Sequence, residues 1–217
     1  MVITIDGPSG AGKTSLAKKL AKRLGIIYLD SGALYRAITL EALKKGFDKE
    51  HIINSLLPVL NLVIKIEDKM RIWVKGKEIT EEIRSPEVTR EIWWVCRIPE
   101  VREKVNKILK GFARRKDIVV EGRDMGSVVF PQADYKIYLT ASLEERARRR
   151  WKELKANGIE ITLTEIRREM EERDKKDSKR ELAPLTIPPG ALIIDNTHLS
   201  IDKTVDKILE FMNKNEG

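Results

Sequence analysis

The run Gly7-Pro8-Ser9-Gly10-Ala11-Gly12-Lys13-Thr14 is a complete G-x-x-x-x-G-K-[ST] sequence, and each residue type in it suits a bound polyphosphate. Gly7 and Gly12 let the backbone close round phosphate oxygens, with the loop amides through Ser15 pointing inward at a helix N-terminus. Lys13 brings charge to the β and γ oxygens, and Thr14 brings a hydroxyl for Mg²⁺. On average composition, a chance match in a chain of 217 residues has a probability of about 10⁻². A glycine-rich turn that only capped a helix would need neither the lysine nor the threonine. The run is therefore read as a site for a nucleoside triphosphate with Mg²⁺. The use made of the γ-phosphate stays open among a switch, a motor and transfer to a small acceptor.

His51, His198 and Cys96 are the chain's whole stock of imidazole and thiol, which leaves little for nucleophilic catalysis. In-line phosphoryl transfer needs positioning and positive charge instead, so the arginines outside the loop matter most. Asp30-Ser31-Gly32-Ala33-Leu34-Tyr35-Arg36 offers Ser31 as a helix N-cap, with Tyr35 and Arg36 about one turn later. Val119-Val120-Glu121-Gly122-Arg123-Asp124-Met125-Gly126 crowds charge at the end of an apolar run. A third cluster runs from Glu172 through Arg173, Asp174 and Asp177 to Arg180. As charge patterns alone, the first of these is also a capped helix with an exposed arginine, and the last a solvated helix with i,i+4 pairs.

Short β-branched runs alternating with longer helical patterns must carry these residues. Strands are predicted at 2–6, 26–30, 117–121, 135–140 and 191–195, and helices near 13–24, 33–45, 99–115, 143–156, 163–179 and 201–213. That alternation implies an α/β fold, a parallel sheet flanked by helices, whose ligand crevice lies at the carboxyl ends of the strands. Between about 60 and 84 the pattern changes. Residues 61–67 and 70–74 read as paired strands, with Glu67-Asp68-Lys69 as the turn and Lys75-Gly76-Lys77 ending the second, so a small antiparallel insertion is expected.

The net charge of +8 is unevenly placed. Residues 1–117 carry 24 basic and 15 acidic side chains, the remainder 18 and 19, and residues 97–116 alone carry eight basic and two acidic. In the helix near 99–115, Val101, Val105, Ile108, Leu109 and Phe112 recur at core spacing, which turns Lys104, Lys107, Lys110, Arg114 and Arg115 mostly to water. A solvated face is the better account, since no aromatic residues are interleaved for base stacking. A single cysteine fits a reducing compartment, and no apolar run approaches the length of a membrane span. The N-terminus lacks signal-peptide character, so a cytoplasmic protein is expected.

Taken in order, the segments I-T-I-D-G-P-S-G-A-G-K, D-S-G-A-L-Y-R, E-G-R-D-M-G-S-V-V-F-P, E-E-R-A-R-R-R, E-R-D-K-K-D-S-K-R-E-L-A-P-L and D-N-T-H-L-S-I resemble the bacterial cytidylate kinases over nearly the whole length. The resemblance implies a single nucleoside monophosphate kinase domain. Its core would be about 1–37 and 98–217, its monophosphate-binding insertion about 38–97 and its lid about 150–162. It implies ATP-dependent phosphorylation of CMP and dCMP by a monomer, with no nucleic-acid or membrane partner.

The same resemblance implies roles for single residues. Arg36 and Arg123 would hold the CMP phosphate with Ser31 nearby, Asp124 and Arg102 would read cytosine, and Arg173 and Asp177 would contact the sugar. Arg180 would reach the transferring phosphoryl group or the CMP phosphate. One of Arg146, Arg149 and Arg150 would bring charge over ATP. Glu121 is either a water-mediated Mg²⁺ residue or an ion-pair partner for an arginine. Trp93 stands where the family has a base-contacting serine, which bears on cytosine discrimination; an aromatic pair such as Trp93-Trp94 otherwise suggests core. The alternatives are a kinase for UMP or another monophosphate, a nucleic-acid-stimulated P-loop ATPase and a nucleotide-dependent switch.

Overall fold

The computed structural model describes residues 1–67, 69–156 and 158–215. The elements follow in the order β1 (Val2–Asp6), α1 (Lys13–Leu24), β2 (Ile27–Asp30), α2 (Ser31–Lys44), α3 (Lys49–His51), β3 (Leu62–Ile66), β4 (Met70–Val74), β5 (Lys77–Glu78), α4 (Pro86–Val95), α5 (Pro99–Ala113), β6 (Ile118–Gly122), β7 (Tyr135–Thr140), α6 (Leu143–Ala156), α7 (Leu163–Ser178), β8 (Leu192–Asp195) and α8 (Ile201–Asn215). A five-stranded parallel sheet has the order β2-β6-β1-β7-β8, and a three-stranded antiparallel sheet the order β3-β4-β5. Among the described residues no helix is long and apolar enough to cross a membrane.

The chain forms two compact units, 1–26 with 119–217, and 27–118. In the first, β1 pairs in parallel with β7, and β7 with β8. Ile3 and Ile5 of β1, Val119 and Val120 of β6, and Ile137 and Leu139 of β7 are fully buried. Burial at consecutive positions of β1 and β6 is what a sheet covered on both faces requires, whereas β7 and β8 alternate. The helices α6 and α7 pack on each other through Ala147, Ile166 and Met170, with Leu143, Trp151, Leu154 and Ile161 around them.

In the second unit α2 is buried along most of its length and is packed by α4 and α5. Val101, Val105 and Leu109 of α5 face inward as the spacing predicts, while Ile108 and Phe112 are only half-buried. Lys104 departs from the expected solvated face: its ammonium donates to the carbonyl of Leu57 at 2.7 Å. Burial, then the neighbouring charge of Lys107, holds its pKa below the usual lysine value.

Local expectations are corrected or extended at three places. Asp30, not Ser31, caps α2; its carboxylate accepts from the amide of Ala33 at 3.0 Å, and Ser31 is the first helical residue. Lys75-Gly76 ends β4 after Val74 as expected, but the antiparallel sheet goes on beyond it. Lys75 and Gly76 both have positive φ (50° and 81°), the conformation of a tight hairpin turn, and β5 follows. A lysine at the first turn position hides that signal. Helix α4 was absent from the periodic pattern, yet it has Ser85 as N-cap and Pro86 at its first position. The turn residue Asp68 lies outside the described residues.

The passage from β1 into the loop depends on one glycine. Gly7 has φ 148°, and a Cβ there would stand 2.0 Å from the backbone oxygen of Leu139 in β7. Gly7→Ala is expected to lower stability by at least about 2 kcal/mol, seen as a fall in Tm, because a backbone oxygen within a paired strand cannot move aside.

Candidate active site

The loop between β1 and α1 is shaped by positive φ at Gly7, Gly10 and Gly12. Gly12 occupies the N-cap position of α1 at φ 93°, and its carbonyl accepts from the amide of Leu16 at 3.0 Å. The amides of Lys13, Thr14 and Ser15 lie in the first turn, where helix geometry offers no carbonyl, so they point out of the N-terminus as anion donors. Thr14 is half-buried and Ser15 exposed. Lys13 is buried and folded over the loop: its ammonium donates to the carbonyls of Gly7 and Pro8 at 2.8 and 2.7 Å. Burial, and after it the charge of Arg123, pushes its pKa well below the ordinary lysine value.

Side chains of α6, α7 and the segment after β8 grip the loop backbone. The guanidinium of Arg146 donates to Ser9 O at 3.0 Å, to Ala141 O at 3.0 Å and to the Asp174 carboxylate at 2.6 Å. The other oxygen of Asp174 accepts from the amide of Ser9 at 3.2 Å. Arg149 donates to Ala11 O at 3.3 Å, and to the side-chain and backbone oxygens of Asn196 at 3.1 and 2.8 Å. The Asn196 amide itself donates to Ala11 O at 2.9 Å. Arg150 instead pairs with Glu153 at 2.8 Å. The expectation that every loop amide faces inward is corrected at Ser9, whose N–H is taken by Asp174 because the Pro8 carbonyl of the same peptide is turned to Lys13.

Beyond β6 the charges are arranged in pairs. Arg123 donates to Asp177 at 2.8 Å and to Gly122 O at 3.2 Å. Burial lowers the Arg123 pKa, but the carboxylate of Asp177 outweighs it and the pKa is raised. Burial likewise works to raise the pKa of Asp177, and the charges of Arg123, Arg173 and Arg180 overcome it and hold the carboxyl below its usual value. Arg180 donates to Ala183 O at 2.5 Å and to buried Asp124 at 3.4 Å. Glu121 is buried, and its charge favours the protonated forms of both Lys13 and Arg123. Lys13, Arg123, Arg173 and Asp177 thus form one electrostatic cluster on the phosphate loop of the first unit.

In the second unit Ser31 is buried at the start of α2, and the guanidinium of Arg36 folds back over Gly32. A Cβ on Gly32 would come within 2.9 Å of that guanidinium and 3.1 Å of the Asp30 carboxylate. Arg102 is buried on α5, with its guanidinium 5.8 Å from the ring centre of Tyr35 and a hydrogen bond to Cys96 O at 3.3 Å. Trp93 is not core. It is 44% exposed, with the Arg97 guanidinium 5.5 Å from its ring centre. Trp94 is half-buried and donates to Glu91 at 2.9 Å.

Asp6 and Asn196 are not among the candidate residues of the sequence, and Asp174 stands there only as one charge of a cluster, with no role of its own. Asp6 closes β1 immediately before the loop, where the change from strand to glycine turn was a usable signal. Asp174 was hidden in a charged run, and nothing near Asn196 in sequence points to the loop. The Asp6 carboxylate accepts from the amides of Met125 and Gly126 at 2.8 and 2.7 Å. Burial is the main cause that raises its pKa to about 6, against the opposing effect of those two amides.

The family model described as cytidylate kinase matches residues 3–214. The chain is 46% identical over 216 residues to a cytidylate kinase of Caldanaerobacter subterraneus, covering 98% of this chain and 95% of that protein. It is 42% identical over 213 residues to a cytidylate kinase of Desulfitobacterium hafniense, covering 97% and 92%. A crystal structure of an uncharacterized protein from Eubacterium ventriosum superposes with a TM-score of 0.51 at 12% identity, covering 98% of each chain, which speaks to the fold alone.

The raised pKa of Asp6 has a definite sign. Between about pH 4, where the unfolded carboxyl titrates, and about pH 6, the folded chain holds a proton that the unfolded chain has lost. Its contribution to stability is therefore present at low pH and is lost as pH rises through 6. Denaturant unfolding across this window should show wild type losing stability relative to Asp6→Asn by up to about 1.4 kcal/mol per pH unit. Parallel curves for the two proteins would show that Asp6 is already ionised.

Proposed function

From the chain's membership of the cytidylate kinase family, shown by the match over residues 3–214 and by full-length relatives at 46% and 42% identity, we propose that it transfers the γ-phosphoryl group of ATP to CMP and to dCMP. The observation that carries the chemistry is the cluster of Lys13, Arg123, Arg173 and Asp177 at a phosphate loop whose first-turn amides face outward. A phosphate oxygen of the acceptor bonds to the γ-phosphorus as the bond to the β–γ bridging oxygen breaks, and ADP departs. The acceptor phosphate is already ionised, so no strong general base is required. Negative charge spreads over the equatorial oxygens in transit, and preorganised cations and amides stabilise it more there than in water.

Gly7 through Ser15 wrap the triphosphate, with amide donors from Gly10 onward. Lys13 exchanges two carbonyl partners for phosphate oxygens, which restores the ammonium that burial disfavours. The Thr14 hydroxyl, half-buried beside the loop, is a hard oxygen of the type Mg²⁺ takes, and Glu121 is a buried carboxylate in the same field. When bound, Mg²⁺ would neutralise charge on the polyphosphate. Arg36 and Arg123 hold the acceptor phosphate with Ser31, Asp124 and Arg102 read the base, Arg173 and Asp177 hold the sugar, and Arg180 turns to the phosphoryl group in transit. Residues 38–97 form the insertion of the monophosphate-binding region, and the stretch at about 150–162, in which Asn157 lies outside the described residues, closes over ATP.

The test is an ADP-release assay across CMP, dCMP, UMP, AMP and GMP. CMP and dCMP are expected to be turned over and the purine nucleotides not, whereas faster turnover of UMP than of CMP would replace the acceptor named here. Lys13→Ala and Arg123→Ala should each lower kcat by roughly 10²–10³-fold, with cooperative unfolding retained. Full activity in both variants would overturn the site assignment.

A further inference from the structure

The arginines of α6 meet the phosphate loop through its backbone carbonyls. Arg146 holds Ser9 O and Arg149 holds Ala11 O, at 3.0 and 3.3 Å. They stand three residues apart, on one face of one helix. Each has its own anchor: Asp174 for Arg146 at 2.6 Å, and Glu145 for Arg149 at 2.9 Å. Arg146 is only 7% exposed, and Gly10, between the two gripped carbonyls, has no room for a Cβ, which would meet Met170 Cε at 2.4 Å and Arg146 Cβ at 3.3 Å. The loop is seated on α6 and α7 at contact distance.

Peptide planarity turns these contacts into an effect on ligand. In a trans peptide the C=O and the following N–H point in opposite directions, and the chain has no cis bonds among the described residues. The Pro8–Ser9 peptide shows the two sides directly, with its oxygen on the Lys13 ammonium and its N–H on Asp174. In the next peptide the oxygen of Ser9 lies on Arg146, the partner of Asp174, so the N–H of Gly10 is aimed to the Lys13 side. The oxygen of Ala11 lies on Arg149 and Asn196, so the N–H of Gly12 is aimed away from them.

We propose that Arg146 and Arg149 are positioning residues that aim the Gly10 and Gly12 amides at the triphosphate by holding the Ser9 and Ala11 carbonyls from behind the loop, without contacting the nucleotide. The inference rests on the reading of this loop as the triphosphate site. It differs from the expectation that an α6 arginine lies over ATP. Arg146 and Asp174 act as one unit, and Arg149 with Asn196 as a second.

Inorganic tripolyphosphate separates the two roles, because it can use loop amides but has no base or sugar. Calorimetric titration of the whole protein with ATP and with tripolyphosphate, in the absence of acceptor, measures binding independently of which monophosphate is phosphorylated. Arg146→Gln and Arg149→Gln should each weaken both ligands by about the same factor, roughly 10-fold. Arg167→Gln, which removes an exposed charge of α7 paired with Glu144, should change neither. Arg146→Lys should regain most of the affinity, since one ammonium reaches Ser9 O and Asp174. Arg149→Lys should not, since it has to span Ala11 O and both oxygens of Asn196. The lysine variants also serve if a glutamine variant fails to fold. Loss of ATP binding with unchanged tripolyphosphate binding would put the arginine on the nucleoside and overturn the proposal, as would wild-type affinity for both ligands in both glutamine variants. A wild-type protein that binds neither ligand would instead remove the triphosphate reading of the loop itself.

Discussion

A phosphate site has to be positively charged before phosphate arrives, and the cations that will receive it repel one another in the meantime. Two unit charges 4 Å apart at an effective dielectric of 20 interact by about 4 kcal/mol, a large share of the 5–15 kcal/mol that typically holds a domain together. The pKa of Lys13 is depressed first by burial and then by the charges of Arg123 and Arg173, so repulsion adds to the cost of desolvation. Much of the first unit answers that cost. Asp177 takes Arg123, Asp174 takes Arg146, Asp124 takes Arg180 and Glu145 takes Arg149. Lys13 itself is held by two backbone carbonyls, dipoles that a phosphate oxygen can displace more easily than a carboxylate. Such an arrangement keeps the cations in place and still leaves them available.

Helix periodicity supplies the geometry. On α7 the carboxylates at 174 and 177 are one turn apart and meet arginines from two different elements, Arg146 of α6 and Arg123 after β6. On α6 the arginines at 146 and 149 share a face for the same reason. The apolar contact of Ala147 with Ile166 and Met170 fixes the two helices against each other. Met170 lies on α7 between that apolar layer and Gly10, so the packing that holds the helices together also limits the loop. Asp6 closes the opposite end of the loop by holding the amides of Met125 and Gly126. Phosphate-loop shape is therefore a property of the packed unit more than of the glycine-rich sequence alone.

Net charge is a poor guide to where the proposed chemistry sits. The surplus lies in the first 117 residues, and much of it decorates α5, whereas Arg123, Arg173 and Arg180 come from the nearly neutral remainder. Near-neutrality there reflects pairing: each arginine that faces the loop brought a carboxylate into the sequence with it. A count of charges cannot distinguish a solvated lysine from a buried arginine, because both contribute one unit. Even on α5 the count misled, since Arg102 is buried and Lys104 is committed to a carbonyl.

The sequence by itself determined the strands of the parallel sheet, most of the longer helices and the loop. Val2–Asp6 followed by G-x-x-x-x-G-K-T fixes a strand, a glycine turn and a helix N-terminus, because those preferences are local and hard to override. Strand β7 and helices α1 and α6 fall at their predicted bounds for the same reason. The short hairpin into β5 and the cap at Asp30 escaped, since a lysine at positive φ and a choice between adjacent capping residues are settled by the neighbouring chain. Tertiary structure alone decided which charged residues become partners. Asp174 and Ser9 are 165 positions apart, and Asn196 and Ala11 are 185 apart. No periodicity links such pairs, because a hydrogen bond depends on distance and direction in space, and those exist only once the sheet has brought the strand ends together.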